Sequence, residues 1–125
     1  MAKARILIVE DEPNIVESLS FILQRAGFEV DTVTDGAEAL ARVRRQTFST
    51  LILDIMLPGM NGFDVLQAIR SDHALAALPV IVLTAKGQAN DRKAAEAVGA
   101  SAFITKPFSN AELVEHVARL AGGVG

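Results

Sequence analysis

Acidic, hydroxyl and lysine side chains follow short apolar runs at four separate points of the sequence. Glu10 and Asp11 come after the first of these runs, and Asp54 comes after a later one. Thr84 and Lys106 follow two further runs. Three carboxylates brought together repel, because two unit charges about 4 Å apart cost roughly 4 kcal/mol at an effective dielectric of about 20. Such a cluster requires protons or a hard cation such as Mg²⁺, which prefers oxygen ligands.

This set of groups is suited to phosphoryl chemistry. A bound metal with open positions and a nearby lysine can neutralise a transferring phosphoryl group. The carboxylate of Asp54 can then act as the nucleophile and form an aspartyl phosphate. Each residue also has an ordinary explanation, since acids cap helices, Thr84 suits a strand and Lys106 suits a surface. The functional interpretation therefore depends on all of them meeting at one place.

The spacing of apolar residues predicts five strands alternating with five helices. The predicted strands are Ile6–Val9, Val30–Val33, Leu51–Leu53, Val80–Leu83 and Phe103–Thr105. Most are apolar throughout or lie between polar ends, which is typical of strands covered on both faces, whereas Asp31 and Thr32 interrupt the second and indicate an edge strand. Because a barrel needs eight such units, we expect an open α/β fold. It is a (βα)5, doubly wound, flavodoxin-like parallel sheet of five strands in the order 2-1-3-4-5.

Ligands bind such a sheet at the carboxyl ends of its strands, near the switch point of the strand order. Glu10, Asp11 and Asp54 would meet there. Helix boundaries agree with this arrangement. The predicted helix starts are at Pro13, Asp35, Asn61, Asp91 and Ser109. Gly27 and Gly99 are predicted to end the first and fourth helices.

Length and composition limit the class of protein. The 125 residues suit one domain, which we place at 1–121 with a flexible C-terminal tail at 122–125. There is no cysteine, and neither a signal peptide nor an apolar stretch long enough to span a bilayer is evident. The net charge of −3 gives no electrostatic footprint for nucleic acid. We expect a cytoplasmic protein that contacts neither membrane nor nucleic acid directly.

Four stretches together resemble one known family. They are Ile6–Glu12, Leu53–Gly62, Val82–Ala85 and Phe103–Phe108. In this order and spacing they resemble the receiver domain of two-component response regulators, including the chemotaxis receivers, over essentially the whole chain. A lone acidic pair would have been a weak signal, whereas four ordered matches are specific.

The resemblance implies a role for each residue around the metal. Asp54 matches the aspartate that accepts a phosphoryl group. Asp11 matches the acid that ligates Mg²⁺, and Glu10 matches its partner acid, which usually acts through water. Met56 matches the position whose backbone carbonyl completes the protein ligands. Glu10 replaces the more common aspartate, which should alter how the ion is held.

The resemblance also implies a switch. Thr84 matches the hydroxyl that moves to bond the phosphoryl group, Lys106 matches the cation that pairs with it, and Phe103 matches the aromatic switch position. The Lys106–Pro107 peptide bond is expected to be cis. The phosphoryl donor would be a histidine kinase or a histidine phosphotransfer protein. The output would be an unknown downstream protein bound through the fourth helix, fifth strand and fifth helix.

Departures from the family pattern predict particular behaviour. Phe103 lacks the hydroxyl of the more common tyrosine, so any switch works by ring packing. The DNA-binding branch of the family carries charged dimer contacts at positions that are Ser101, Ala102 and His116 here. We therefore expect the unphosphorylated protein to be mainly monomeric. Apolar Met56 and cationic Lys86 predict a long-lived phosphoryl group. Neither His116 nor His73 is expected to be catalytic.

Three other functions fit these residues less well. A receiver that only binds partners usually lacks one of the acids, the threonine or the lysine, all of which are present. A metal-dependent phosphatase with an aspartate nucleophile carries a second acid where this chain has Met56. A flavin-binding protein needs a phosphate loop after Val9, where acids would instead repel the phosphate.

Overall fold

The computed structural model describes residues 3–57, 59–85 and 89–121. The expectations for Lys86 and for the tail at 122–125 lie outside these residues, as does Pro58 of the second matching stretch. The strands are Arg5–Val9 (β1), Glu29–Val33 (β2), Thr50–Asp54 (β3), Val80–Ala85 (β4) and Ala102–Lys106 (β5). The helices are Pro13–Arg25 (α1), Gly36–Arg45 (α2), Gly62–Ser71 (α3), Ala89–Val98 (α4) and Asn110–Leu120 (α5). The predicted alternation of five strands and five helices is confirmed.

The five strands form one parallel sheet in the order β2-β1-β3-β4-β5. This is the predicted order, and β2 lies at an edge as its interrupted apolar pattern indicated. The strand order reverses between β1 and β3, so the switch point lies there. Val9 pairs with Leu53 across these two strands. The register therefore brings the residue after Val9, which is Glu10, level with Asp54.

Alternation of side chains along the strands produces two apolar cores. Leu7 and Leu53 point to the face covered by α2, α3 and α4. Ile8 and Ile52 point to the opposite face, which is covered by α1 and α5. Each fully buried aliphatic side chain contributes roughly 1.5–3 kcal/mol. Because both faces are covered, the strands are apolar at almost every position, and the polar groups are displaced to the strand ends.

Side-chain caps fix the starts of α2, α3 and α5 at the predicted positions. Asp35 accepts a hydrogen bond from the backbone N–H of Glu38 at 2.8 Å. The side chains of Asn61 and Ser109 cap α3 and α5 in the same way. The prediction for α4 was wrong in detail, because this helix already includes Ala89 and places Asp91 within its first turn.

Helix ends also follow the prediction. Gly27 and Gly99 have φ of +100° and +111°, in the left-handed region that favours glycine. None of the helices in the described ranges is both long and apolar enough to span a bilayer.

Candidate active site

A lysine links two buried carboxylates at the carboxyl end of the sheet. Lys106 Nζ donates to Glu10 Oε1 and to Asp54 Oδ2, both at 2.9 Å. Glu10 is fully buried and Asp54 is only 3% exposed. We call these three residues the carboxylate–lysine cluster. The strand order brings them together from β5, from the residue after β1 and from the end of β3.

Backbone N–H groups hold the remaining carboxylate oxygens. Asp54 Oδ1 accepts from the N–H of Met56 at 2.9 Å. Glu10 Oε2 accepts from the N–H of Asp11 at 2.9 Å and from that of Glu12 at 3.3 Å. Both carboxylates are therefore oriented by the chain turns that follow their strands. A buried charged group needs such partners, because an unpaired one is costly.

A close backbone approach fixes the loop after Asp54. A Cβ atom at Gly62 would lie 2.6 Å from the carbonyl oxygen of Asp54 and 2.6 Å from Cα of Ile55. The N–H of Gly62 also donates to the carbonyl oxygen of Ile55 at 3.0 Å. Glycine is therefore required where α3 begins, directly against the backbone of the site.

The surroundings of the two buried acids shift their pKa values in opposite directions. Burial raises the pKa of Glu10 to about 7, and its hydrogen bond with Asp54 adds to this effect. Burial alone would raise the pKa of Asp54, but the hydrogen bonds from Glu10, the Met56 N–H and Lys106 outweigh it, so that pKa lies below its usual value. Burial opposes the charge of Lys106, but the two carboxylates raise the pKa of its ammonium group overall. Near neutral pH, Asp54 is thus the ionised acid that faces a charged lysine.

The oxygen donors of the site fit a hard divalent cation. Carboxylate oxygens of Glu10, Glu12 and Asp54 lie within 4.8 Å of one another. Such an all-oxygen set is what Mg²⁺ prefers. Asp11, which was predicted to be a metal ligand, is exposed and is not part of this group. Its role remains a prediction, as does that of the Met56 carbonyl.

Glu12 is a site residue that the sequence reasoning missed. Its carboxylate approaches Lys106 Nζ at 3.9 Å, and its side chain is 63% exposed. The signal for it was the unbroken acidic run that begins at Glu10. The alternation of side chains ends with β1, so the pattern could not show whether Asp11 or Glu12 faces the cluster.

Thr84 and Phe103 lie beside the cluster on neighbouring strands. Thr84 is buried at 5% exposure and follows Leu83, the register partner of Asp54. Phe103 is half-buried on β5. The Lys106–Pro107 peptide bond is cis, as the resemblance implied. The structure thus brings the cluster into direct contact, with Thr84 one residue after the register partner of Asp54 and Phe103 three residues before Lys106 on β5.

Ser101 and His116, at which charged dimer contacts were expected to be missing, form hydrogen bonds within the chain. Ser101 Oγ accepts from the backbone N–H of Val80 at 3.0 Å. Arg119 donates to Nδ1 of His116 at 2.9 Å on α5. His73 is exposed in the segment after α3. No described histidine lies in an acidic group that could hold a metal.

Comparison with known proteins identifies the family. The chain belongs to the response regulator receiver domain family, whose model matches residues 6–118. The DNA-binding response regulator MtrA of Mycolicibacterium smegmatis is 40% identical over 115 residues, which cover 92% of this chain and 49% of MtrA. This chain spans about half the length of the curated relatives it matches.

Solved structures agree with this chain in fold. The signal receiver domain of a signal transduction histidine kinase from Syntrophus aciditrophicus has a TM-score of 0.89 and 35% identity, covering 97% of this chain and 92% of that one. The receiver domain of the sensor histidine kinase PA1611 from Pseudomonas aeruginosa PAO1 has a TM-score of 0.90 and 31% identity. The match covers 98% of this chain and all of that receiver domain. The PA1611 domain has a magnesium ion coordinated in its active-site cleft.

Proposed function

We propose that this chain takes a phosphoryl group from a histidine kinase or a histidine phosphotransfer protein onto Asp54, in a reaction that depends on Mg²⁺. The observation that carries the proposal is the carboxylate–lysine cluster, in which one ionised aspartate faces a charged lysine. The phosphoryl group then alters a protein-binding surface. The chain acts as a signalling switch that catalyses its own phosphorylation and dephosphorylation, and it is not a turnover enzyme.

The transfer step is a displacement at phosphorus. A carboxylate oxygen of Asp54 attacks the phosphorus of phosphohistidine, the P–N bond breaks, and the leaving imidazole takes up a proton. Lys106 then pairs with the new phosphoryl oxygens, and the hydroxyl of Thr84 donates to one of them. Lys106 already contacts Asp54, and Thr84 lies on the adjoining strand, from which its hydroxyl would shift toward the phosphoryl group.

Mg²⁺ would supply positive charge to the phosphoryl oxygens during transfer. The ion would be held by Glu10, Asp11, Asp54 and the backbone carbonyl of Met56. Glu12 would be a further acid at the exposed edge of the site. Burial and the neighbouring Asp54 raise the pKa of Glu10. This supports the proposal, because the positive charge of a bound cation would stabilise the ionised form of Glu10.

Output is proposed at the face formed by α4, β5 and α5. Thr84 and Phe103 lie at or beside this face, so a shift of the threonine toward the phosphoryl group would let the ring turn inward. The partner would be a downstream protein, and direct binding of nucleic acid is not expected of a domain with a net charge of −3. We also propose a domain that occupies 1–121, is mainly monomeric before phosphorylation and works in the cytoplasm.

Labelling by a small phosphodonor tests the proposal. Acetyl phosphate with Mg²⁺ should label the parent protein stoichiometrically, and Asp54→Asn should abolish the label. Asp64→Asn is the matched control, because Asp64 is an exposed carboxylate on α3 outside the site. Chelation of Mg²⁺ should also prevent labelling. Full labelling of Asp54→Asn would refute the assignment.

The same assay separates the other functions. A receiver that only binds partners would remain unlabelled under every condition. A phosphatase would release many equivalents of phosphate per protein molecule, because its phosphoryl intermediate turns over.

A further inference from the structure

An arginine side chain is stacked on the aromatic ring beside the site. Cζ of Arg92 lies 5.0 Å from the centre of the Phe103 ring. A cation held within about 6 Å of an aromatic face is attracted by the ring quadrupole. Arg92 is exposed on α4, and no carboxylate of the described residues forms an ion pair with it. The Phe103 ring is therefore a defined partner of this guanidinium group.

The ring and Thr84 lie on the same face of the sheet. The strand register pairs Val82 with Phe103 and Thr84 with Thr105. Because side chains alternate along a strand, Val82, Thr84 and Phe103 point to the face that α4 covers. Val82 is buried in the core on that face, and Phe103 packs against the same core. Thr84 and Phe103 are thus diagonal neighbours beneath α4.

We propose that Arg92 is a positioning residue for the switch, which holds the Phe103 ring in its outward position until the site is phosphorylated. This inference rests on the proposed function. When Thr84 moves toward the phosphoryl group, the ring turns into the space beside it and away from the exposed guanidinium. In this proposal the contact with Arg92 is present while the ring is outward and is lost when the ring turns inward, so it biases the equilibrium between the two states toward the inactive one.

Phe103 makes this contact more influential than a tyrosine would. The phenyl ring has no hydroxyl, so no hydrogen bond to the partner surface or to the protein competes for its position. Apolar packing and the guanidinium group alone determine where the ring lies. A contact that favours one of two states shifts their ratio by a factor set by its own free energy.

Three variants test the proposal. Arg92→Gln removes the cation while keeping a long polar side chain, and Arg92→Lys keeps a cation. Arg25→Gln is the matched control, because Arg25 Cζ lies 5.7 Å from the centre of the Phe21 ring on α1, on the other face of the sheet. The chain has no tyrosine or tryptophan and only six phenylalanines, so the ring resonances of isotopically labelled phenylalanine can be assigned.

Two measurements are made on each protein. The Phe103 ring resonances are recorded without metal or phosphoryl analogue, and the apparent Kd for beryllofluoride is titrated with Mg²⁺. Arg92→Gln should shift the resonances toward those of the beryllofluoride-bound parent and tighten the apparent Kd about two- to fivefold. Arg92→Lys should lie between the parent and Arg92→Gln, and Arg25→Gln should match the parent.

The outcomes separate this inference from the proposed function. If either readout of Arg92→Gln stays at the parent value, or if Arg25→Gln shifts equally, Arg92 does not position the ring. A merely structural role of Arg92 would lower stability without tightening the binding of the analogue. If the parent itself fails to bind beryllofluoride with Mg²⁺, the proposed function is overturned as well.

Discussion

The lysine of the cluster allows two acids to be buried side by side. Lys106 is the ammonium group that both Glu10 and Asp54 contact, each at 2.9 Å. Removal of one member of a buried charged set leaves the others uncompensated, which commonly costs several kcal/mol. The free protein therefore depends on this lysine for its stability before any phosphoryl group arrives.

Replacement of Lys106 by methionine tests that dependence. We expect the free energy of unfolding to fall by about 1–3 kcal/mol in the presence of a chelator, because Glu10 and Asp54 lose their common donor. Added Mg²⁺ should restore part of the loss, since a ligand bound to the folded state stabilises it. Urea denaturation measures both effects. Lys93→Met, at an exposed position on α4, is the control, and equal stability of the two variants would contradict the account.

Met56 is the residue whose side chain is expected to influence the lifetime of the phosphoryl group. Its N–H holds Asp54 Oδ1, and its side chain is 72% exposed. A thioether cannot orient a water molecule for attack, whereas an amide can. Met56→Asn should therefore lose its phosphoryl group faster than the parent, as followed by the decay of labelled protein after removal of the donor. An unchanged rate would remove Met56 from the explanation.

At the residue scale, the sequence identified most of the groups in the cluster but not all of its surroundings. Glu10, Asp54 and Lys106 could be found because strand ends in a parallel sheet share one edge. Glu12 could not, because the torsion angles of the turn after β1 decide which side chain points inward. The stacking of Arg92 on Phe103 depends on the rotation of α4 about its axis, which apolar spacing determines only coarsely.

At the element scale, one arginine joins three segments at the amino ends of the strands, which is the edge of the sheet opposite the site. Arg70 on α3 donates to the carbonyl oxygens of Leu78 at 2.7 Å and of Gly99 at 2.8 Å. It also reaches Ser101 Oγ at 3.3 Å. The guanidinium group thus ties α3 to the approach of β4 and to the end of α4.

Arg70→Met should remove this link while keeping the aliphatic stem. The carbonyl oxygens lose their charged donor, and we expect the free energy of unfolding to fall by about 2–3 kcal/mol. Arg45→Met, an exposed position on α2, should change it by less than about 0.5 kcal/mol. Chemical denaturation followed by circular dichroism measures both. Similar stabilities of the two variants would show that the link contributes little.

Polar residues within β2 show what the pattern could and could not predict at this scale. The interruption at Asp31 correctly indicated an edge strand. Its partners were not predictable, because they come from other elements: Asp31 accepts from Arg42 of α2 at 2.7 Å and from Arg5 of β1 at 3.2 Å. The start of α4 was misplaced because an acid in the first turn resembles a capping residue.

At the scale of the whole molecule, the strand order determines where the site lies. Four chain segments far apart in sequence supply the cluster, Thr84 and Phe103, because the carboxyl ends of β1, β3, β4 and β5 lie at one edge of the sheet. The same topology positions Arg92 of α4 over the Phe103 ring, which is where the proposed switch would connect the sheet edge with the α4–β5–α5 face. The overall fold was predictable because each level of the sequence, from caps to apolar runs, agrees with it.

The proposed function depends above all on Asp54 as the residue that carries the phosphoryl group. Borohydride reduces an acyl phosphate, so a phosphorylated aspartate becomes homoserine, which peptide mass spectrometry can locate. After treatment with acetyl phosphate and Mg²⁺, homoserine should appear at position 54 and should be absent when either reagent is omitted. Conversion at another acidic residue, or none under full conditions, would contradict the account.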